Sequence, residues 1–183
     1  MTTAAIIGCG DVSIIHFEAL AEMEDVTLVG VCDSDPERRA AAAAAHGVPG
    51  FADHLSLLET VSPDVVHLCT PHDQHASLAV DCLERGVNVI VEKPVAHTLD
   101  EAQRLIQVAE RSTAKIAVCF QNRYNATAQA LHRILTSGAV GAVLGGSFTV
   151  VWHRTPVAPP LYARPVAERS PPDGRPPGSG RSD

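Results

Sequence analysis

Short apolar runs alternate with helix-like segments over the first 120 or so residues, and this alternation limits the folds that the chain can adopt. Five runs predict strands, at Ala4–Gly8, Thr27–Asp33, Val65–Thr70, Val87–Glu92 and Lys115–Phe120. Strands that are apolar along their whole length are buried on both faces, and crossover helices between them make them parallel. The sequence therefore predicts an α/β fold built on a doubly wound parallel sheet.

The segments between these strands carry helix-end signals. Asp35 and Pro36 supply an N-cap and a first helical residue, and Gly47 follows the alanine run 40–45 where a left-handed C-cap belongs. We interpret the alanine run as a close-packed helix and not as a linker.

Two later helices show similar signals. Asp73 is predicted to cap a helix that ends near Arg85 and Gly86, and Thr98 with Glu101 forms a capping box. The helix after that box has one apolar face, formed by Leu99, Ala102, Leu105, Ile106 and Ala109.

Composition excludes several classes of function. A formal charge of -7 and a pI near 5.7 give no general attraction for phosphate backbones, so nucleic acid is not an expected partner. No apolar stretch reaches the length of a membrane span, and the N-terminus does not resemble a signal peptide. The five cysteines show no CxxC spacing, which suits reduced thiols in a cytoplasmic protein.

A glycine-rich motif follows the first strand. In GCGDVS, Gly8, Gly10 and Ser13 occupy the small-residue positions of the dinucleotide fingerprint G-x-G-x-x-G/A, with serine as a departure at the third. The first glycine permits a tight turn, and the second lets a pyrophosphate approach the helix N-terminus. A glycine turn without a ligand is the alternative.

The end of the second strand adds a ribose-binding signal. Asp33 lies 25 residues after Gly8, where a carboxylate can accept hydrogen bonds from the adenosine ribose and repel a 2′-phosphate. NAD is therefore expected over NADP, although Arg38 lies one turn further on. The candidate cofactor residues of this half are Gly8, Cys9, Gly10, Asp11, Val12, Asp33, Ser34 and Arg38.

Four potential metal ligands, His67, Cys69, His72 and His75, lie within nine residues. They do not form the two separated pairs of a closed zinc site, so no metal is predicted. For His67 we favour packing in the sheet, and for His72 a solvated turn. His75 is expected at the carboxyl edge of the sheet, where open α/β sheets bind ligands.

The strand at Val87 ends in Glu92-Lys93-Pro94. Together with GCGDVS, Asp33, the Thr70-Pro71…His75 turn and QNRYN at 121–125, this pattern resembles the Gfo/Idh/MocA family of NAD(P)-dependent oxidoreductases over residues 1 to about 155. The resemblance implies a Rossmann domain followed by an α/β substrate domain. It also implies oxidation or reduction of sugars, cyclitols and related molecules.

By this resemblance, Lys93 would be the catalytic residue that hydrogen-bonds the reacting oxygen. A lysine at this edge can polarise a carbonyl or stabilise an alkoxide, whereas a solvated charge paired with Glu92 is the alternative. The resemblance adds Thr70, Pro71, His75, Glu92, Lys93 and Asn122 to the candidate cofactor residues.

The remaining sequence predicts only the beginning of the second domain. A helix with Leu131, Ile134 and Leu135 on one side precedes a strand in VLGGSFTVVW, so we expect domains at 1–122 and 123–163 and a disordered tail at 164–183. The family's acid/base Asp and His have no match here, and His153 is not assigned to that role. An interrupted reading frame near residues 155 to 165 would explain the change in composition, and a genuine short protein with a disordered tail is the alternative.

Two functions are compatible with these observations. The first is a dehydrogenase that uses a nicotinamide cofactor and a small polyol or sugar, and the second is an NAD-binding module without turnover. The family's members often form homo-oligomers through the sheet of the second domain, of which this chain contains only the predicted first strand.

Overall fold

The computed structural model describes residues 1–147, 149 and 151. The chain divides into two units, Met1–Leu131 and His132–Asp183. The domain boundaries predicted from the sequence stay a prediction, and the predicted tail and His153 lie outside the described residues.

One six-stranded parallel sheet with the order β3-β2-β1-β4-β5-β6 organises the first unit, which confirms the predicted α/β class. Its strands are β1 Thr2–Ile7, β2 Val26–Cys32, β3 Gly50–Phe51, β4 Val65–Leu68, β5 Asn88–Val91 and β6 Ile116–Val118. The helices are α1 Ser13–Ala21, α2 Pro36–His46, α3 His54–Val61, α4 His75–Glu84, α5 Leu99–Arg111 and α6 Ala126–Thr136, and short 3-10 helices occur at His72–Gln74 and Gln121–Tyr124.

Alternate residues of the central strand β1 face two different cores. Ala5 and Ile7 pack in a cluster with residues of α3, α4 and α5, whereas Ala4 and Ile6 pack with residues of α1. Both faces are covered from Ala4 to Ile7, and this part of β1 is apolar, as expected for a central parallel strand. The strand order reverses between β1 and β4, so their carboxyl ends flank the crevice where open α/β sheets bind ligands.

Most of the predicted helix ends are confirmed. The Asp35 side chain accepts hydrogen bonds from two first-turn N–H groups of α2, and Gly47 ends that helix with φ +66°. Thr98 and Glu101 form both bonds of the capping box of α5. In contrast, the prediction for Asp73 is wrong, because a 3-10 turn precedes α4 and its N-cap is Gln74.

Two further predictions are corrected, one for the apolar face of α5 and one for a strand near the end of the described residues. Of the α5 face, Leu105 is buried, whereas Leu99 and Ile106 are exposed. The strand predicted in VLGGSFTVVW is absent at residues 143–147, and its other positions lie largely outside the described residues. The sequence reasoning also missed β3 and α3. Among the described residues, no helix is long and apolar enough to span a membrane.

Candidate cofactor site at the carboxyl edge of the sheet

Gly8 lies where β1 comes closest to the end of β4. Its φ is +93°, and a Cβ added there would lie 2.6 Å from the carbonyl carbon of Cys69 and 2.8 Å from the Thr70 nitrogen. Its N–H also donates to the Cys32 carbonyl oxygen at 2.8 Å. Glycine is therefore required both by the backbone conformation and by the packing of three strand ends.

The loop between Gly10 and α1 leaves space above its backbone. The nearest heavy atom to a Cβ added at Gly10 is Nη1 of Arg38, at 3.8 Å. Ser13 is 1% exposed, and its hydroxyl donates to the Gly10 carbonyl oxygen at 2.6 Å, so serine fills the third position without an unpaired hydroxyl. Asp11 and the N-cap residue Val12 are exposed on this loop.

The Asp33 carboxylate holds the glycine loop and the start of α2. Its Oδ2 accepts from the Cys9 N–H at 2.7 Å, and its Oδ1 accepts from the Asp35 N–H at 2.8 Å. Each carboxylate oxygen has a second lone pair, so Asp33 can still accept hydrogen bonds from a diol. The following residue, Ser34, is exposed at the same strand end.

Two arginines flank this carboxylate. Arg38 is exposed, with its Nε 3.9 Å from Oδ2 of Asp35, and its guanidinium reaches the space near Gly10. Arg39, which the sequence reasoning missed, donates from Nη1 to the Asp33 carbonyl oxygen at 2.8 Å. The positive charge at this corner therefore lies beside the loop, and Arg38 is its exposed part.

His75 connects the end of β4 to the Glu92-Lys93-Pro94 segment. Its Nδ1 lies 2.7 Å from the Pro94 carbonyl oxygen, and its Nε2 lies 2.8 Å from the Thr70 carbonyl oxygen. His75 has no exposed surface. A direct cofactor contact, as the sequence suggested, does not fit this burial; the ring instead fixes two loops that border the crevice.

Thr70 and Pro71 form the turn beside that histidine. Among the described residues, Oγ1 of Thr70 is the one buried side-chain polar atom without a hydrogen-bond partner. Pro71 is exposed. An unpaired hydroxyl next to Gly8 is a polar group that a ligand in the crevice could engage.

Glu92 and Lys93 follow β5 and differ in exposure. Glu92 is 9% exposed, whereas Lys93 is exposed. The Lys93 N–H donates to Oε2 of Glu92 at 3.3 Å, and the Lys93–Pro94 peptide bond is cis. The acid is thus turned inward while the base lies at the surface of the sheet edge. Asn122 and Arg123 are exposed in the short helix after β6.

Two buried histidines, His16 and His67, lie on the inner side of Glu92. Nε2 of His16 is 3.2 Å from Oε1 of Glu92, and Nδ1 of His16 is 2.9 Å from Nδ1 of His67. Burial, and then His16, lower the pKa of His67 to about 4. Burial, and then Glu92, raise the pKa of the nearby Cys119 thiol to about 11.

The sequence reasoning did not single out His16. The signal that could have found it is its place one turn after Ser13 on α1, on the face shared with the buried Phe17 and Leu20. A polar residue on the buried face of a helix needs a buried partner.

The four residues of the HxCxxHxxH pattern do not form one site. His67 bonds to His16, both ring nitrogens of His75 face carbonyl oxygens, and His72 is exposed in the 3-10 turn. Burial raises the pKa of the Cys69 thiol, which disfavours the thiolate that binds metals.

Comparison with known proteins decides the family. Residues 2–120 match the family model described as the GFO_IDH_MocA oxidoreductase family with an NAD-binding Rossmann fold. The chain belongs to the Gfo/Idh/MocA family. The resemblance inferred from GCGDVS, Asp33, the Thr70 turn and Glu92-Lys93-Pro94 is thereby confirmed.

Curated members of the Gfo/Idh/MocA family that resemble this chain include sugar dehydrogenases. D-apiose dehydrogenase from Paraburkholderia graminis is 33% identical over 78% of this chain and 38% of its own length. D-glucoside 3-dehydrogenase from Escherichia coli is 33% identical over 76% of this chain and 40% of its own length. The chain therefore spans about two fifths of the length of these relatives.

Solved structures show the same fold. The WlbA dehydrogenase from Bordetella pertussis, in complex with NADH and UDP-GlcNAcA, aligns with a TM-score of 0.74 and 31% identity over 76% of this chain and 44% of its own. The family model describes an NAD-binding Rossmann fold. Two observations in this chain fit such a cofactor, namely the open space at Gly10 and the unpaired Thr70 hydroxyl.

Proposed function

We propose that this chain is the NAD-binding part of a dehydrogenase that acts on a sugar-like or cyclitol-like alcohol or carbonyl. The observation that carries the proposal is that the glycine loop after β1 and Lys93 after β5 lie at the same carboxyl edge, on either side of β4. This edge contains the point where the strand order reverses, which is the ligand crevice of open α/β sheets.

The two sides of the crevice have different tasks. The space above Gly10, with the N-terminus of α1 behind it, would receive the pyrophosphate, and Asp33 would accept the ribose hydroxyls. Ser34 and Arg38 would border the adenosine, and Thr70, Pro71 and Asn122 would border the nicotinamide. When bound, the nicotinamide supplies the hydride acceptor or donor.

Lys93 would act on the substrate oxygen. An exposed ammonium at the strand end can donate a hydrogen bond to a carbonyl oxygen or to a developing alkoxide, and it stabilises negative charge on that oxygen. Glu92 is turned away from this position by its bonds to His16 and to the Lys93 N–H. The reactive position is thereby left to the lysine alone.

NAD is the proposed cofactor in preference to NADP. With NAD bound as proposed, the Asp33 carboxylate would face the 2′ position of the ribose, and like charges at close range would repel a 2′-phosphate there. Arg38 counteracts this repulsion only from an exposed position. We also propose the cytoplasm as the compartment, which the five free thiols support.

Cofactor binding is tested directly by NADH fluorescence titration. Gly10→Ala adds a methyl group above the loop without a protein contact shorter than 3.8 Å, so it should weaken NADH binding while leaving the fold intact. Gly145→Ala, at a glycine with open space around it, is the matched control. Equal NADH affinities in all three proteins would contradict the proposal.

Nucleotide binding without turnover is the second candidate, because the family match at residues 2–120 covers the NAD-binding Rossmann fold. The two functions differ in what a substrate does. Absorbance at the NADH band, followed across a panel of sugars and cyclitols, should change only if the chain turns over. Lys93→Ala should then abolish the change and leave NADH binding in place.

A further inference from the structure

Glu92 is the centre of a buried hydrogen-bonded cluster. Its Oε1 faces Nε2 of His16 at 3.2 Å, its Oε2 accepts from the Lys93 N–H at 3.3 Å, and the Cys119 thiol lies within hydrogen-bonding reach. His16 is 8% exposed and Glu92 is 9% exposed. A buried carboxylate needs such donors, so its position is determined by them.

The orientation of the His16 ring is fixed from its other side. The Nδ1 atoms of His16 and His67 face each other at 2.9 Å, and the two rings meet edge to face at an interplanar angle of 86°. One of these two nitrogens must carry the hydrogen. If His67 donates, the neutral His16 ring carries its hydrogen on Nε2 and presents an N–H to Glu92. The Glu92 carboxylate at 3.2 Å favours this tautomer, because an ionised carboxylate can only accept.

We propose that His16 is a positioning residue for Lys93: it holds the Glu92 carboxylate inward, so that the Lys93 ammonium stays free for the substrate oxygen. This inference rests on the proposed function of Lys93. Glu92 directly precedes Lys93, yet in the described part of the chain Lys93 forms no ion pair. His16 contributes to that difference, because its contact with Oε1 orients the carboxylate towards the buried side of the sheet edge, away from the exposed ammonium.

Lysine-selective ¹⁵N labelling gives a direct readout. The chain has two lysines, Lys93 and Lys115, so an amide correlation spectrum contains two backbone signals. The Lys93 N–H donates to Glu92, and the Lys115 N–H donates to Oδ1 of Asn88 at 3.0 Å. Lys115 is therefore an internal control with the same kind of side-chain acceptor.

The expected results separate positioning from general stability. Because the proposed nicotinamide position borders Lys93, NAD⁺ should shift the Lys93 signal of the unaltered chain. His16→Leu should move the Lys93 signal and remove that shift, while Lys115 stays in place and NAD⁺ still binds at the glycine loop. His16→Gln, whose amide can still donate towards Glu92, should restore the NAD⁺-induced shift. Asn88→Ala should move Lys115 alone.

Each other outcome has a definite meaning. If Lys93 keeps its position and its NAD⁺-induced shift in His16→Leu, the positioning role is overturned while the proposed function stands. If NAD⁺ does not bind the unaltered chain, the proposed function fails whatever His16 does. Should His16→Leu unfold, His16→Asn replaces it: its shorter amide cannot reach Glu92, and a retained Lys93 shift there would overturn the role.

The same cluster could instead bind a metal ion, because ligand atoms of His16, Glu92 and Cys119 all lie within 4.8 Å of one another. Stoichiometric Zn²⁺ should leave the Lys93 signal unchanged if the cluster is hydrogen-bonded. A Zn²⁺-induced shift that His16→Gln abolishes would overturn the hydrogen-bonded account.

Discussion

Gly8 and Cys69 approach each other so closely that no side chain fits between them: a Cβ on Gly8 would lie 2.6 Å from the Cys69 carbonyl carbon. This contact joins the ends of β1 and β4, the two strands that flank the crevice. The shape of the candidate site therefore depends on a glycine whose neighbours are backbone atoms, which cannot move aside.

Gly8→Ala should destabilise the fold severely. A positive φ alone costs a non-glycine residue about 1–2 kcal/mol, and the backbone clash adds to that strain. Gly86 has φ +73° with nothing within 4 Å of an added Cβ, so Gly86→Ala measures the backbone strain by itself. Urea unfolding of both variants checks the prediction. Equal losses in unfolding free energy would show that the contact with Cys69 is unimportant.

His75→Leu should also lower stability, because it removes the buried ring whose nitrogens lie 2.7 Å and 2.8 Å from the Pro94 and Thr70 carbonyl oxygens. Loss of a hydrogen bond at a partly buried group costs about 1–3 kcal/mol, and we expect a loss of that order in urea unfolding. His97→Leu, at an exposed histidine close to Pro94, is the control and should change little. A His75→Leu loss as small as that of the control would contradict the bridging role.

The pH dependence of stability should contain a contribution from His67. Its pKa is lowered from the usual 6.5 to about 4 in the folded chain, so between these values the unfolded state binds a proton that the folded state does not. Stability must then rise with pH across this window. The contribution is complete above pH 6.5 and is lost as the pH falls towards 4, with a maximum of about 3 kcal/mol at roughly 1.4 kcal/mol per pKa unit.

Unfolding in urea at pH 7, 5.5 and 4.5 measures this contribution. His67→Leu should flatten the pH dependence in that range, whereas His132→Leu, at an exposed position, should not. The carboxyl groups with lowered pKa values, such as that of Asp64, act in a more acidic range and do not interfere. An unchanged slope in His67→Leu would show that another group is responsible.

Patterns local in sequence predicted most of the fold. The five apolar runs correspond to β1, β2, β4, β5 and β6, because burial on both faces leaves a plain signal. The strand β3 is only two residues long and lies at the edge of the sheet, so it has no such run. Asp73 failed as a cap because a 3-10 turn intervenes, a choice that short-range propensity does not resolve.

The candidate site also contains parts that the sequence could predict and parts that it could not. The glycine loop and the Glu92-Lys93-Pro94 segment are continuous in sequence, and their residues could be identified without a structure. The partners that hold them are distant in the chain: His16 and Glu92 are 76 residues apart, and His75 and Pro94 are 19 apart. Such pairs arise from how α1, β4 and β5 pack, which no local pattern encodes.

Cofactor preference should depend on the charge of Asp33. Asp33→Asn removes the carboxylate that repels a 2′-phosphate, so the ratio of NADPH to NADH affinity should rise by about tenfold or more, equivalent to at least about 1.4 kcal/mol. NADH binding itself should weaken, because one of the acceptors for the Cys9 and Asp35 N–H groups is lost. Asp35→Asn makes the same charge change but keeps a good N-cap, so it is the matched control. Titrations of the three proteins with both cofactors give the two ratios. If Asp35→Asn shifted the preference as far as Asp33→Asn, net charge near Arg38, and not the placement of Asp33 at the ribose, would determine the cofactor.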